Sequence, residues 1–249
     1  MKIIDYISYK VIPLLTGEEK KPNVYITHKN YLNWYYLNNS MKKSIPYIKG
    51  KCIDIGSGNS PYKKYIIENV DEYISVDKGD IHRHMLGTSK EQFFDADIKD
   101  LPFEDNSFDT IILTQVLEHI DEPTKALDEV KRVLKKNGVI IISVPFIYQS
   151  HAIPYDFFRY SEYSLRKICK DYNYKILEFH YQGYFGTAIF SMINAFIWEF
   201  AGKQRWLRNT IGLPLFLIVF TINNVLGRVL DKIKAKNFTP NFWLVLQNK

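Results

Sequence analysis

The strongest constraint on the fold is the alternation between short apolar runs and longer amphipathic stretches over residues 51–181. Strands that alternate with helices in this way pair mostly in parallel, and helices cover both faces of their sheet. The sequence therefore predicts a doubly wound α/β fold. The predicted strands are KCIDIG (51–56), YISVD (73–77), EQFFDAD (91–97), FDTIILTQ (108–115), VIIISVP (139–145) and YKILEFHY (174–181). The predicted helices of this region are NSPYKKYIIENV (59–70), EPTKALDEVKRVL (122–134) and SEYSLRKICKDY (161–172).

Local signals set some of the helix ends. Pro123 suits the first turn of its helix, and Ser161 is a candidate N-cap. The pair Asn137-Gly138 predicts that the helix before it ends there with a C-cap.

The predicted organisation is one domain over residues 1–249. Residues 1–50 form an aromatic-rich helical lead-in that packs on the domain or covers a ligand as a lid, and 51–183 form the core. An apolar helical insert follows at 184–234, and 235–249 contains a last strand, NFWLVLQ.

Composition and charge indicate the class of protein, its partners and its compartment. Hydrophobic residues make up 46% of the chain and charged residues 24%, which is typical of a globular protein. The formal net charge of +6 is compatible with anionic partners and equally with simple solubility. Cys52 and Cys169 show no metal-binding spacing and predict a reducing, cytoplasmic setting. The N-terminal apolar stretch is interrupted by charges and Pro13, so we do not interpret it as a signal peptide.

Glycines and acids recur at the ends of the predicted strands. Asp54-Ile-Gly-Ser-Gly58 ends the first strand, and glycine there lets the backbone approach a ligand closely. Asp77 ends the second strand, where a carboxylate can accept both hydroxyls of a ribose. Asp97 with Ile98 follows the third strand and can hold an adenine ring. In open α/β sheets these strand ends meet at one edge, which predicts a nucleotide-like ligand.

The order and spacing of these motifs resemble class I S-adenosylmethionine-dependent methyltransferases. The resemblance covers about residues 50–182 and extends through the phrase LPFEDNSFDTIILTQVLEHIDEPTKALDEVKRVLKKNGVIIISVP. It implies a seven-stranded sheet with an antiparallel last strand, and S-adenosylmethionine as cofactor. The loop lacks the third glycine of dinucleotide folds and has Pro61 there, which disfavours NAD. The Ser60-Pro61 pair resembles members of the family that act on polysaccharide precursors.

The resemblance also implies roles for individual residues. Gly56, Ser57 and Gly58 would line the methionine part of the cofactor, and Asp54 would orient that loop and meet the amino group. Asp77 would bind the ribose, Asp97 and Ile98 the adenine, and Gln115 would lie beside the sulfonium. The full set of expected cofactor-binding residues is Asp54, Gly56, Ser57, Gly58, Asp77, Lys78, Asp97, Ile98 and Gln115.

On the acceptor side, two histidines follow strand ends. An alcohol acceptor must lose a proton, and imidazole suits that task near neutral pH. His151, and after it His119, are therefore the candidate bases. The pair Glu118-His119 with a later histidine also resembles the Glu-x-x-Glu-His metal site of some RNA and quinone-precursor O-methyltransferases. Gln115 replaces the first acid here, which disfavours a hard cation, and we assign no metal from the sequence.

The segment from His151 to Tyr160 resembles a His-x-x-Pro-x-Asp-x-x-Arg-Tyr pattern of bacterial surface-polysaccharide methyltransferases. Arg159 could hold a phosphate or carboxylate through two parallel hydrogen bonds, and Asp156 could hold sugar hydroxyls. The alternative is that the two residues form a structural pair. Tyr148 and Tyr155 could stack on a sugar ring, with packing in the core as the alternative. The candidate substrate-binding residues are Tyr148, Asp156, Arg159 and Tyr160.

Basic residues flank the apolar insert, which favours contact with an anionic membrane surface or a lipid-linked substrate. The alternatives are a buried helix pair or a dimer face. The flanking residues are Arg205, Arg208, Arg228, Lys232, Lys234 and Lys236.

We therefore expect a cytoplasmic enzyme, at or near the inner face of the membrane, that O-methylates a small-molecule or lipid-linked saccharide. A small hydrophobic or quinone-like acceptor is the second possibility, and a binding protein that has lost catalysis is the third. A nucleic-acid substrate is not expected, because the Asn/Asp-Pro-Pro-Tyr/Phe signature is missing after the fourth strand. The oligomeric state stays open.

Overall fold

Seven strands form a single sheet in the order β3-β2-β1-β4-β5-β7-β6. The computed structural model describes residues 25–78, 91–203 and 212–249. The pairs between β1, β2, β3, β4 and β5 are parallel, and β7 pairs antiparallel with β5. The predicted doubly wound sheet and its antiparallel last strand are therefore confirmed. The strands are β1 (Lys51–Ile55), β2 (Glu72–Asp77), β3 (Glu91–Asp95), β4 (Phe108–Thr114), β5 (Leu134–Pro145), β6 (Tyr174–Tyr181) and β7 (Asn241–Asn248).

The middle strands are almost wholly apolar because both faces of the sheet are covered. Ile111, Ile112 and Leu113 of β4 are fully buried, as a parallel strand covered on both sides requires. The strand order reverses between the neighbours β1 and β4: β2 and β3 follow on the outer side of β1, and β5 follows on the other side, next to β4. Ligands of such sheets bind beyond the carboxyl ends of the strands at this reversal point. The loops that follow β1 and β4 are therefore the first places to look for a site.

The described residues contain six α-helices. The third shows why the sequence forms a helix there: its apolar residues recur at helical spacing, and Ala126, Leu127, Val130 and Val133 are all buried. In the fourth, the Ser161 hydroxyl accepts a hydrogen bond from the Ser164 amide, as expected of an N-cap. The helices are α1 (Tyr31–Ser44), α2 (Lys63–Ile66), α3 (Pro123–Val133), α4 (Glu162–Asp171), α5 (Phe185–Lys203) and α6 (Gly212–Leu230).

Two local expectations were wrong. Asn137-Gly138 does not cap a helix, because α3 ends at Val133 and both residues belong to β5. Leu134 pairs with Phe108 at the start of this strand, and a register shift follows. The helix expected over 59–70 is also much shorter, since only α2 and a 3-10 turn at Ile67–Asn69 form there.

The chain divides into two compact units. The first contains 147–149, 181–240 and the described part of Met1–Asn38, and the second contains 39–146, 150–180 and 241–249. The boundary within the expected lead-in therefore falls inside α1. Residues 1–24 of that lead-in, and with them part of the expected lid, lie outside the described residues, as do Arg205 and Arg208.

In the first unit, α5 and α6 form an antiparallel pair. The Asn194 side chain donates to Asn224 Oδ1 at 3.1 Å and accepts from Asn223 Nδ2 at 2.8 Å. Nearer the other end, a methyl group on Gly186 would lie 2.1 Å from the Gly227 carbonyl oxygen, so the two backbones are in close contact. The apolar helical insert predicted before the last strand is thus confirmed, with two helices among its described residues.

Candidate functional site

The loop after β1 combines two glycines in the left-handed backbone region. Gly56 has φ +64° and Gly58 has φ +52°, a conformation that favours glycine. A Cβ on Gly56 would lie 2.5 Å from Val116 Cγ2, so that glycine is needed for packing. A Cβ on Gly58 would meet nothing within 4 Å. The backbone at Gly58 therefore borders open space, which is what close approach of a ligand requires.

Asp77 joins the end of β2 to this glycine loop. Its Oδ2 accepts a 2.7 Å hydrogen bond from the Gly58 amide, and its Oδ1 accepts one of 2.7 Å from the Lys78 amide. The Ser57 amide donates to the Val76 carbonyl at 3.1 Å. A carboxylate oxygen can accept more than one hydrogen bond, so the residue type at this position suits the hydroxyls of a ribose.

Asp54 lies beneath the same loop and is 2% exposed. Its Oδ2 accepts a 2.5 Å hydrogen bond from the Tyr73 hydroxyl. Burial is the main reason why the pKa of Asp54 is raised to about 7; the Tyr73 hydrogen bond opposes the shift and the negative Asp77 adds to it. A carboxyl poised near neutral pH would ionise readily when a positive group arrives beside it.

Lys78, Asp97 and Ile98 lie near the ends of β2 and β3. Lys78 Nζ is 3.0 Å from Asp97 Oδ2, and the Lys99 amide donates to Asp97 Oδ1 at 2.9 Å. Burial alone would raise the pKa of Asp97, but the Lys99 amide and the Lys78 ammonium hold it below its usual value. Ile98 is buried. The acid expected at the adenine is thus ionised and partly neutralised by Lys78.

Gln115 is the residue after β4 and has φ +56°. Its amide donates to the Ser143 carbonyl at 2.8 Å, and its Nε2 donates to Ser143 Oγ at 3.1 Å. These bonds hold the side chain toward β5. Its expected place beside the sulfonium stays a prediction.

A cluster of three side chains, Glu118, His119 and His151, forms after β4 and β5. Glu118 Oε1 lies 3.7 Å from His119 Nε2 and 3.9 Å from His151 Nε2. The two imidazole rings meet edge to face with centroids 4.7 Å apart. The structure therefore brings together both candidate bases, and it places a carboxylate between them.

The outer nitrogens of the two histidines face oxygen atoms. His119 Nδ1 is 2.6 Å from the Tyr155 carbonyl oxygen, and His151 Nδ1 is 3.6 Å from Asp156 Oδ2. The His151 amide also donates to Asp156 Oδ2, at 3.0 Å. Carbonyl and carboxylate groups only accept hydrogen bonds, so they favour the tautomer with hydrogen on Nδ1.

Asp156 and Arg159 form the structural pair that was one of the two alternatives. Arg159 donates from both terminal nitrogens to the two carboxylate oxygens of Asp156, at 2.6 Å each. These hydrogen bonds lower the pKa of Asp156 to about 2, although burial opposes the shift. The pair fixes the loop on which His151 lies, and substrate contact by either residue stays a prediction.

The two aromatic candidates have different surroundings. Tyr160 is buried, and its hydroxyl donates to the Leu117 carbonyl at 3.2 Å. Tyr148 belongs to the segment 147–149 of the first unit, whereas the histidine cluster belongs to the second. Stacking by Tyr148 and substrate binding by Tyr160 stay predictions.

Glu118 is the residue that the sequence did not single out as central. Its side chain is completely buried, and neither carboxylate oxygen has a hydrogen-bond partner among the described residues. Burial raises the pKa of Glu118 to about 8, with Arg159 lowering it and Asp156 raising it by smaller amounts. The signal available in the sequence was an acid directly beside a candidate base, in a loop expected at the ligand edge.

Comparison with known proteins agrees with this geometry. Residues 53–142 match the family model described as a methyltransferase domain, and that segment runs from Ile53 in β1 to Ile142 in β5. The chain is 45% identical over 60 residues to the demethylmenaquinone methyltransferase of Clavibacter sepedonicus, covering 24% of each. It is 32% identical over 97 residues to the ubiquinone/menaquinone biosynthesis C-methyltransferase UbiE of Brucella abortus, covering 34% of this chain and 36% of the relative.

The chain spans between a quarter and a half of the length of the curated relatives it matches. Among solved structures, the S-adenosylmethionine-dependent methyltransferase of Mesorhizobium loti is similar, with a TM-score of 0.58 at 12% identity. That likeness covers 87% of this chain and 98% of the other. The chain therefore has the class I methyltransferase fold.

The comparisons support the predicted enzyme class and its S-adenosylmethionine cofactor. They concern the class as a whole, so the resemblance to enzymes of surface-polysaccharide gene clusters stays a prediction. The roles of the individual site residues also stay predictions.

Proposed function

We propose that this protein is an S-adenosylmethionine-dependent methyltransferase. The observation that carries the proposal is the open space over Gly58 at the reversal point of the sheet, bordered by the Gly58–Asp77 hydrogen bond. When bound, the cofactor would supply an electrophilic methyl group. The protein then contributes mainly binding and positioning.

Different residues of the chain would bind different parts of the cofactor. The backbone at Gly56, Ser57 and Gly58 would hold the methionine part, with the Asp54 carboxylate near its amino group. Asp77 would accept the ribose hydroxyls. Asp97, partly neutralised by Lys78, would accept from the adenine amino group, with Ile98 against the ring and Gln115 near the methyl donor.

For the acceptor we propose a hydroxyl group on a sugar of a cell-surface glycan precursor, with a lipid-linked saccharide as the favoured form. His151 would take up the hydroxyl proton, and His119 is the second candidate for that role. The Asp156 carboxylate near His151 Nδ1 would stabilise the imidazolium that forms.

The apolar face of the helix pair supports a lipid-linked acceptor. Apolar side chains along α6 are exposed at intervals of three and four residues, so they form one stripe. On α5, Phe196 is 71% exposed and Phe200 is 59% exposed. The α6 stripe consists of Leu215, Ile218, Ile222, Val225, Leu226 and Val229.

Charge at one end of the pair supports an anionic lipid surface. Arg228, Lys232 and Lys234 are exposed near the C-terminal end of α6, and lysine and arginine beside an apolar helical face favour anionic headgroups. Among the described residues, one segment, Pro214–Ile233, is long and apolar enough to cross a membrane, and 28% of it is buried. We propose contact with the membrane surface at its cytoplasmic side.

Sedimentation with lipid vesicles tests this contact. The full chain should bind vesicles that contain phosphatidylglycerol more tightly than pure phosphatidylcholine vesicles, and less tightly at high salt. Phe196→Glu should weaken binding, whereas Tyr163→Glu, at an equally exposed ring on α4, should not. Equal binding by both variants would contradict the proposed surface.

The cofactor proposal is tested by isothermal titration with S-adenosylhomocysteine, with NAD as the comparison ligand. We expect micromolar binding of the first and none of the second. His151→Ala should retain cofactor binding and lose turnover, and unchanged turnover would exclude His151 as the base. A folded protein that binds no S-adenosylhomocysteine would contradict the proposed function.

A quinone-like acceptor is the second candidate, because two of the similar proteins are named for methylation of quinone precursors. Transfer of a labelled methyl group to total membrane lipids separates the two acceptors. Label released into water by mild acid would come from a glycan joined to lipid through phosphate. Label that stays in the apolar phase after the same treatment would indicate the quinone class.

A further inference from the structure

We propose that Glu118, His119 and His151 bind a divalent metal ion of the borderline class, such as Zn²⁺ or Co²⁺, through Glu118 Oε1 and the two imidazole Nε2 atoms. The inference concerns a site in the second unit and does not depend on which acceptor the protein methylates. It goes beyond the proposed function and offers an alternative to the base role given there to the two histidines. Loss of turnover in His151→Ala is expected of either role, whereas Co²⁺ binding is expected only of the metal site.

The three ligand atoms already lie close to metal-binding geometry. Each histidine Nε2 is within 3.9 Å of Glu118 Oε1. One ligand atom from each of the three residues lies within 4.8 Å of those of the other two. Zinc–nitrogen and zinc–oxygen bonds measure about 2.0–2.2 Å. Small side-chain rotations that move the ligand atoms by a few tenths of an ångström would let one ion lie at that distance from all three atoms.

The hydrogen bonds around the cluster orient both histidines toward one point. His119 Nδ1 lies 2.6 Å from the Tyr155 carbonyl, which can only accept, so this nitrogen carries the hydrogen. His151 Nδ1 faces the Asp156 carboxylate, which Arg159 holds in place. The Nε2 lone pairs of the neutral rings then point toward Glu118. Metal-binding histidines typically donate their other N–H to a carbonyl or carboxylate in this manner.

The two Nε2 atoms therefore lie on either side of one buried carboxyl group. The Glu118 carboxylate is completely buried, and its oxygens have no hydrogen-bond partner among the described residues. A buried carboxyl group without a partner destabilises the folded state. A cation bound there would give the Glu118 oxygens the partner that they lack among the described residues.

The donor set selects the kind of metal. Two imidazole nitrogens and one carboxylate oxygen suit Zn²⁺, Co²⁺ and similar ions, whereas Mg²⁺ and Ca²⁺ favour sites made of oxygen alone. Three protein ligands also leave at least one position for water or an acceptor oxygen, as in catalytic zinc sites. A coordinated imidazole has no lone pair left to take up a proton, so metal binding and the base role exclude each other at each histidine.

The experiment uses the full chain, freed of metal with a chelator and titrated with Co²⁺ while its visible absorption is recorded. We expect bands of Co²⁺ bound to nitrogen and oxygen, and competition by Zn²⁺. In the same metal-free protein, Zn²⁺ should raise the melting temperature, because an ion that binds only the folded state stabilises it. Cofactor binding by the metal-free protein, measured with S-adenosylhomocysteine, reports on the proposed function separately.

Three variants decide the assignment. Glu118→Gln keeps the size of the side chain, and His151→Ala removes a second ligand. Each should weaken Co²⁺ binding at least about 10-fold. His180→Ala, which alters a histidine paired with Glu178 at 3.2 Å elsewhere in the same unit, should leave Co²⁺ binding unchanged. Absence of Co²⁺ binding by the folded wild type, or equal binding by the wild type and Glu118→Gln, would overturn the proposal.

Discussion

The Gly58 amide donates a 2.7 Å hydrogen bond to the Asp77 carboxylate and so joins the loop after β1 to the end of β2. The same carboxylate also accepts from the Lys78 amide. Asp77 would therefore support ligand binding in two ways: it holds the loop in shape, and it is expected to bind the ribose. Asp77 is therefore the position at which a single change tests the cofactor site most directly.

We expect Asp77→Ala to weaken S-adenosylhomocysteine binding by about 30-fold or more, because hydrogen bonds to charged groups are worth about 1.5–3 kcal/mol. Isothermal titration measures the change. Asp71→Ala, at an exposed residue just before β2, is the control and should bind like the wild type. Unchanged affinity of Asp77→Ala would remove the ribose assignment.

The two loop glycines should respond differently to alanine. At Gly58 a methyl group meets nothing within 4 Å, so the expected loss of stability is only the backbone strain, about 1 kcal/mol. The methyl group would nevertheless occupy the space proposed for the cofactor. Because the methyl group and the cofactor would compete for this space, Gly58→Ala should bind the cofactor at least about 10-fold more weakly.

At Gly56 the same methyl group would lie 2.5 Å from Val116 Cγ2, and a β-branched side chain has little freedom to move away. Gly56→Ala should lose about 1–3 kcal/mol more stability than Gly58→Ala. Urea unfolding of both variants gives the comparison. Equal losses of stability would show that Gly58 is as confined as Gly56.

Local patterns in the sequence were enough to predict the sheet and the loop after β1. The run Asp54 to Gly58 follows an apolar strand directly, so its place at the edge of the sheet depends only on neighbouring residues. The helix α3 was equally predictable, because its buried residues recur along one short segment.

The errors arose where distant contacts decide the structure. Asn137-Gly138 has the composition of a helix end, but Leu134 pairs with Phe108 of β4 and converts the preceding residues into strand. Glu118 is buried in part because the amides of Phe157 and Phe158 bind its carbonyl, at 2.8 and 3.2 Å. Those residues are almost forty positions away, and no local pattern connects them.

Asp54 should make stability depend on pH. The folded state keeps the Asp54 proton up to a pKa of about 7, whereas an unfolded Asp loses its proton near pH 4. Between these values the folded state holds one more proton, so the free energy of unfolding falls as pH rises and becomes level above about 7.

Asp54→Asn removes this titration while its carbonyl oxygen can still accept from the Tyr73 hydroxyl. The fall in unfolding free energy between pH 5 and 7 should become shallower, by at most about 1.4 kcal/mol per pH unit. Urea unfolding at pH 5, 6, 7 and 8 measures the slope, and Asp71→Asn is the control. Parallel curves for Asp54→Asn and the wild type would mean that Asp54 is ionised throughout this range.

The close contact of α5 and α6 predicts unequal effects at its two glycines. A methyl group on Gly186 would lie 2.1 Å from the Gly227 carbonyl oxygen and 3.0 Å from the Asp231 amide nitrogen, so two backbones would have to separate. A methyl group on Gly227 would meet the end of the Leu32 side chain at 2.6 Å, which can rotate away, and the Gly186 carbonyl only at 3.2 Å.

Gly186→Ala should therefore destabilise the protein by about 3 kcal/mol, the upper part of the range for overpacking, and Gly227→Ala by about 1 kcal/mol. Both substitutions replace a helical glycine by a better helix former, which offsets part of each loss equally. Urea unfolding, followed by the fluorescence of the tryptophans, compares the two variants. If Gly227→Ala proved the more damaging, the helices would have to pack with Leu32 fixed and the Gly186 backbone free to move.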